Sequence, residues 1–311
     1  MSTSSLPTRK LGRTGFDITT LGFGSAPVGF LSQDKDAEGK LLNTVLDAGV
    51  NLLDTAAMYP GSEELIGKYV GHRIDDFVLV SKCGQAIPEA PDAPAWSAQV
   101  ITATIERALK RLNTDVLDVM LIHSCDLETL KKGEAIGALV EAREAGKIRF
   151  AGYSGDNEAV AWAAAHPEIA VIETSVNIVD QANIDLVLPI AQKHNVGVLA
   201  KRPIANGAWR DASEQKAFYK NYTKTYYQRF AAMNLKIEDL GFAPEAWHEL
   251  ALRFTLSQPG VTTAIIGTTS EKNLQRNVEA VRKGELPADV VEKIRAAFKQ
   301  VDPEGKWTGQ T

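Results

Sequence analysis

The chain alternates between two kinds of segment, and that alternation restricts its fold more than any other feature. Eight short apolar runs rich in Val, Ile and Leu fall at Thr20–Gly24, Val50–Ala56, Phe77–Lys82, Val116–His123, Ile148–Ser154, Val171–Asn177, Val196–Arg202 and Thr262–Thr268. Their length and branching favour buried strands. Longer stretches with helical periodicity separate them. Ser97 is placed to cap a helix over Ala98–Leu112, where Ile101, Ile105, Ala108 and Leu112 form one apolar stripe. Ile136, Leu139 and Val140 mark another helix, which stops at Gly146. Gly49 and Gly146 each stand between a helix and a strand, where a left-handed C-cap belongs. Glu64 and Lys68 are spaced to pair on an exposed helix face.

Eight strand–helix units in about 250 residues predict an α/β fold, the (β/α)₈ TIM barrel. A doubly wound sheet alternates in the same way, but the count of eight favours the barrel. Arg9–Thr20 reads as an N-terminal β-hairpin with its turn at Gly12-Arg13-Thr14-Gly15. No composition shift marks a boundary, so residues 1–311 read as a single domain with extra C-terminal helices, one over Pro287–Val301. One long connection, residues 206–242, follows the seventh strand and holds Tyr219, Tyr222, Tyr226, Tyr227 and Phe230. Connections of that length are usually lids or inserts. Two roles stay open for it: a helix packing its aromatics on the rim, or a wall over the bound ligands.

Charge and cysteine content narrow the function. Lys+Arg total 34 against 39 Asp+Glu, a net charge of −5. Phosphate-backbone binding needs a basic face, so nucleic acid is not the expected partner. Two cysteines make no disulfide framework and suit a reducing compartment. Cys83 and Cys125 read as ordinary buried thiols. The first residues, MSTSSLPTRK, lack the apolar run of a secretory signal. No stretch approaches the roughly 20 apolar residues of a membrane span. A cytoplasmic protein without membrane partners is expected.

In a barrel the reactive groups sit at the C-terminal ends of the strands. The second run carries Asp54 there, with Tyr59 in the loop beyond; the third ends at Lys82 and the fourth at His123. Alternation puts Leu52 with Asp54, Val80 with Lys82, and Leu121 with His123. Three polar groups on successive apolar strands need partners or a function, because charge is rarely buried alone. A buried Asp54–Lys82 ion pair beside a satisfied histidine is the plainer reading. Gly22-Phe23-Gly24-Ser25-Ala26-Pro27 is half a dinucleotide fingerprint, but the third glycine is missing and no helix is expected to open there. It reads as the first strand and its loop, with Gly24 lining the site. His72, His166, His194 and His248 are scattered, so no metal is expected.

These residues resemble the aldo-keto reductase superfamily. The resemblance rests on Gly49-Val50-Asn51-Leu52-Leu53-Asp54-Thr55-Ala56 with Tyr59, Glu63 and Gly67, on Val80-Ser81-Lys82, on Leu117–His123, and on Gly146-Lys147-Ile148-Arg149. It implies a (β/α)₈ barrel that moves hydride reversibly between a nicotinamide cofactor and a carbonyl. It places the catalytic tetrad on Asp54, Tyr59, Lys82 and His123. Tyr59 would donate the proton. Lys82 would lower its pKa from the usual value of about 10. Asp54 would hold Lys82, and His123 would orient the carbonyl oxygen.

The cofactor side departs from the family pattern. Ser154 matches a Ser-Asn pair, but Gly155-Asp156-Asn157 follows it, so Asp156 or Asn157 would have to substitute for the Asn. Glu173 stands where the family has Gln, and accepts hydrogen bonds without donating any. Lys201-Arg202 stands where many members stack a tyrosine, and would contact cofactor phosphate or cover the ring. Gly267-Thr268-Thr269-Ser270 opens a helix near Glu271, with Ser270 as cap and a phosphate site at its N-terminus. Asn273 aligns with the family's 2′-phosphate arginine. Lys272 and Arg276 are nearby substitutes, and Asn277 matches the adenine contact. NADPH is expected over NADH. Phe30, Trp96 and Trp209 would wall the substrate pocket.

The expected activity is reduction of aldehydes, ketones or open-chain sugars. Two rivals stay open: a redox-neutral epimerase or lyase-like enzyme with tightly held cofactor, and a cofactor-sensing regulatory subunit, since some barrels of this family attach to membrane channels. Monomer and homo-oligomer are both compatible with the sequence.

Overall fold

A computed structural model describes residues 5–31, 34–89, 92–210 and 220–310, with side chains for all of these except 220–222. Two short antiparallel strands come first, β1 (Thr8–Lys10) and β2 (Asp17–Thr19). Eight parallel strands then close a barrel: β3 (Leu21–Gly24), β4 (Leu52–Asp54), β5 (Val78–Cys83), β6 (Leu117–His123), β7 (Ile148–Ser154), β8 (Ile169–Ser175), β9 (Gly197–Lys201) and β10 (Thr263–Ile266). The last strand pairs with the first, with Ala264 opposite Leu21 and Ile266 opposite Phe23. Every one of the eight apolar runs overlaps a barrel strand; β5 extends one residue past its run, to Cys83, and β8 begins two residues before its run, at Ile169.

The barrel interior is itself packed. Leu52, Val78, Val80, Val119, Leu121, Val171, Leu199 and Ile265 fill it. The hairpin closes its N-terminal end by inserting Leu11 and Ile18, both with no exposure. Arg13 clamps the plug by donating to the carbonyls of Pro167 at 2.7 Å and His194 at 3.0 Å. Neither feature leaves a passage through the barrel, so chemistry is confined to the opposite mouth.

Local signals held where they were purely local. Ser97 Oγ caps the helix Ala98–Leu112 by accepting from Val100 N, and Gly49 and Gly146 take positive φ of 90° and 74°. Glu64 and Lys68 do not pair. Glu64 meets Arg111 at 3.0 Å, and Lys68 donates to the Tyr69 hydroxyl. The first loop also differs from expectation, because a six-residue helix, Ala26–Leu31, begins directly after Ser25.

Part of the 206–242 connection, residues 211–219 with Tyr219, lies outside the described residues, as does the Tyr222 side chain. A helix follows over Lys220–Met233. It packs on the rim: Tyr226 is fully buried with its hydroxyl donating to Asp180 at 2.8 Å, and Phe230 meets Trp247 edge-on at 4.8 Å. Tyr227 faces solvent. No described aromatic of this helix lines the site cavity.

The C-terminal helix runs Ala288–Val301. The chain then returns to the mouth, where Asn157 and Gly309 bond each other through two hydrogen bonds, and Gln310 N donates to Asp180. No helix among the described residues is long and apolar enough to cross a membrane.

Candidate active site

The strand register brings the polar ends into rows. Asp54 lies opposite Gly24, and His123, Ser154 and Glu173 lie opposite one another on β6, β7 and β8. Above them opens a cavity of about 890 Å³. It is lined by Gly24, Phe30, Asp54, Tyr59, His123, Ser154, Glu173, Lys201, Arg202, Trp209, Gly267, Thr269, Ser270, Asn273, Arg276 and Asn277. Gly267 is needed for a close approach: a Cβ there would sit 2.3 Å from the Gly24 carbonyl oxygen.

Lys82 does not itself line the cavity; it lies fully buried behind the lining residues Asp54, Tyr59 and Glu173. Its ammonium donates to Asp54 Oδ1 at 2.5 Å and to the Thr55 carbonyl at 3.1 Å. A second carboxylate, Glu173 Oε2, is 3.1 Å away. Burial alone would favour the neutral amine, but the two carboxylates outweigh it and hold Lys82 charged. Asp54 in turn is raised above the usual carboxylate range, by burial first and by the Glu173 charge second.

The Lys82 ammonium lies 5.3 Å from the Tyr59 ring centre. Phe30 contacts the same ring edge-on at 5.7 Å, and His123 at 6.4 Å. Burial pushes the Tyr59 phenol above its ordinary value; Lys82 lowers it, and Asp54 and Glu173 raise it again. That direction is opposite to the one expected from the Lys82–Tyr59 pair alone. Two carboxylates around one ammonium leave too little field at the phenol to offset its burial. His123 is held neutral, by burial first and then by Lys82, Lys201 and Arg202. It keeps a donor available for a substrate oxygen.

The departures on β7 to β9 have physical explanations. A Cβ at Gly155 would lie 2.5 Å from the Tyr153 hydroxyl, and that hydroxyl is buried and bonded to the Cys125 carbonyl. No side chain fits there, so the amide position is empty. Neither proposed substitute reaches the cavity lining. Asp156 accepts from Ser175 N, Thr174 Oγ1 and Asn183 Nδ2 and pairs with Lys201 at 2.9 Å. Asn157 is held by the tail at Gly309. Arg202, at φ 55°, donates to Ser175 Oγ and the Gln310 carbonyl.

Trp96 does not wall the pocket. Its Nε1 donates to the His123 carbonyl at 2.9 Å, and its ring covers Gly84. Trp209 does line the cavity and stacks on Trp247 at 6.2 Å. Met58, Gln85, Ile204, Asn206, Arg210 and His248 are lining residues that sequence reasoning did not select. Arg210 directly follows Trp209 in the sequence. His248 comes from the helix Trp247–Leu256, far along the chain, with no local signal.

The other arm of the cavity ends at the helix Glu271–Arg282, which Ser270 caps by accepting from Asn273 N. Asn273, Arg276 and Asn277 face the cavity there; Lys272 does not line it. Asn277 is buried beside His248, and its carbonyl oxygen lacks a well-aligned donor among the described residues. An acceptor of this kind suits an exocyclic amino group such as adenine's. Cys83 and Cys125 are buried free thiols, both pushed up by burial. No group of three or more potential metal ligands occurs among the described residues.

Comparison with known proteins agrees with this layout. The model of the Aldo/keto reductase family matches residues 20–299. The chain belongs to the aldo-keto reductase family. Among its relatives, the uncharacterized oxidoreductase YqkF of Bacillus subtilis is 25% identical, covering 94% of this chain and 96% of that one. L-galactose dehydrogenase of Arabidopsis thaliana is 27% identical and covers 94% of each. The holo form of aldo-keto reductase AKR11C1 from Bacillus halodurans superposes with a TM-score of 0.78 at 26% identity, over 94% of this chain and 96% of that chain. This aldo-keto reductase is therefore an oxidoreductase of a family that uses nicotinamide cofactors and acts on small molecules.

Proposed function

We propose that the chain is an NADPH-dependent carbonyl reductase in which Tyr59 is the general acid. The observation that carries this reading is the buried Asp54–Lys82 pair beside Tyr59, with Asp54, Tyr59 and His123 lining one cavity that continues to Asn277.

The cofactor supplies a hydride from its nicotinamide C4 when bound. Its nicotinamide end would lie against Ser154 and Glu173, and its pyrophosphate over the Gly267–Ser270 turn, where a capped helix N-terminus offers free N–H groups. Asn277 would take the adenine amino group. Arg276, with Arg210 also lining the cavity near His248, would meet a 2′-phosphate, which is the reason for choosing NADPH over NADH.

The protein's own work is on the carbonyl oxygen. Neutral His123 donates a hydrogen bond that fixes this oxygen, and Tyr59 gives it a proton as negative charge develops. Lys82 stabilises the tyrosinate left behind, and Asp54 holds Lys82 in place. Phe30, Met58 and Trp209 give the cavity an apolar wall.

The test is NADPH absorbance against time with an activated aromatic aldehyde, wild type beside Tyr59→Phe, repeated with NADH. Wild-type oxidation that falls by about 10²- to 10⁴-fold in Tyr59→Phe supports the reading. A folded wild type that binds NADPH and turns over no carbonyl compound overturns it.

A further inference from the structure

Lys82 has no exposed side-chain surface, yet two carboxylates reach it from different strands. Asp54 on β4 lies 2.5 Å away and Glu173 on β8 lies 3.1 Å away. One carboxylate is enough to keep a buried ammonium charged and in place, so the second needs its own account. Glu173 is itself buried, and its register partners Ser154 and Leu199 are neutral. Lys82 is the cation it pairs with.

We propose that Glu173 is a positioning residue that acts through Lys82, dividing the ammonium's charge between two carboxylates so that Tyr59 keeps its proton further into alkaline solution. Reduction needs the protonated phenol; alcohol oxidation needs the tyrosinate. Glu173 therefore extends the pH range of reduction and delays that of oxidation. This rests on Tyr59 being the acid, as proposed above.

Among the described residues, charged groups reach the surroundings of Tyr59 from several elements, including Arg107, which bonds the Ala57 carbonyl in the Tyr59 loop. Asp54 comes from β4, Lys82 from β5, His123 from β6, Glu173 from β8, and Lys201 and Arg202 from the end of β9. His123 is neutral. Lys201 is paired with Asp156, and Arg202 is bonded to Ser175 and Gln310. Glu63, on the helix after the Tyr59 loop, turns to Ser81 and Arg107. Lys82 and its two carboxylates are thus the local balance that sets the phenol. Removing the Glu173 charge frees the ammonium toward Tyr59, which favours tyrosinate and lowers the alkaline limb.

The experiment measures kcat/KM for aldehyde reduction from about pH 6 to about pH 11 in wild type, Glu173→Gln and Tyr59→Phe. The expected wild-type limb lies at or above the ordinary tyrosine value of about 10. Glu173→Gln should move it down by about one pH unit. A limb that stays put or rises in Glu173→Gln overturns the proposal, even if KM for NADPH changes, because a side chain that only packs or only holds the carboxamide moves KM alone. Glu173→Asp, which keeps the charge, should lie between the two. If Glu173→Gln does not fold, the wild type decides. Its ultraviolet tyrosinate titration, taken as the difference from Tyr59→Phe, overturns the proposal if Tyr59 ionises below about pH 9. Retained turnover in Tyr59→Phe defeats the role of Tyr59 as the acid, on which this proposal rests; loss there with an unmoved limb defeats only the role of Glu173.

Discussion

The Lys201 ammonium lies 2.9 Å from Asp156 Oδ2 and ties the end of β9 to the turn after β7. The Asp156 side chain is fully buried, and Lys201 is only 13% exposed. Burial raises the Asp156 carboxyl, but Lys201, Arg202 and the Ser175 N–H outweigh it, so the group sits below its usual range and stays ionised. Lys201→Met removes the ammonium in contact with that buried charge and leaves it to Arg202. The expected loss is about 3 kcal/mol in urea unfolding. Asp156→Asn on the same background should recover most of it. Equal and additive losses in the two single variants would mean that the pair carries no coupling.

His123 should not titrate in the physiological range. Its folded pKa is depressed, so below the ordinary histidine value of about 6.5 the unfolded chain takes up a proton that the native site refuses. The unfolded state then binds more protons, and this residue's contribution to stability falls as pH falls through that window. The His123 ring resonance should stay at its neutral position between about pH 8 and about pH 5. A midpoint near the ordinary value would contradict the neutral donor.

Arg276 should set cofactor choice. Arg276→Ala should raise KM for NADPH about tenfold, the scale of one charge-assisted contact, and leave KM for NADH near wild type. Equal changes for both cofactors would remove Arg276 from 2′-phosphate recognition.

Trp96 should act on geometry rather than on substrate choice. Trp96→Phe keeps the ring over Gly84 and deletes the Nε1–H bond to the His123 carbonyl. A loss of about 1 kcal/mol in stability is expected, with relative rates across aldehydes of different size unchanged. A changed size preference would return Trp96 to the pocket wall.

The barrel was legible because parallel strands are buried on both faces and so read as unbroken apolar runs. β6 and β7 begin and end where their runs suggest, or within a residue. Asp54, Lys82 and His123 stood out because charge on such a run is costly. Other features depend on atoms far away in the chain. The vacancy at Gly155 follows from the Tyr153 ring beneath it, and Trp96 turns away because the His123 carbonyl accepts from it. Gln310 meets Ser175 and Arg202 from 135 and 108 residues further along the chain. Spacing along the sequence carries none of these. The second carboxylate on Lys82 was visible as an unusual residue at 173, but its partner was not.

The seam between β3 and β10 has a consequence for the newly made chain. Leu21 finds its partner only when Ala264 exists. Until then the growing sheet carries two open edges, those of β3 and of whichever strand was last to emerge, and unpaired edges recruit other strands. Ribosome-bound chains that stop before β10 should engage holding chaperones, and release should coincide with emergence of Thr263–Ile266.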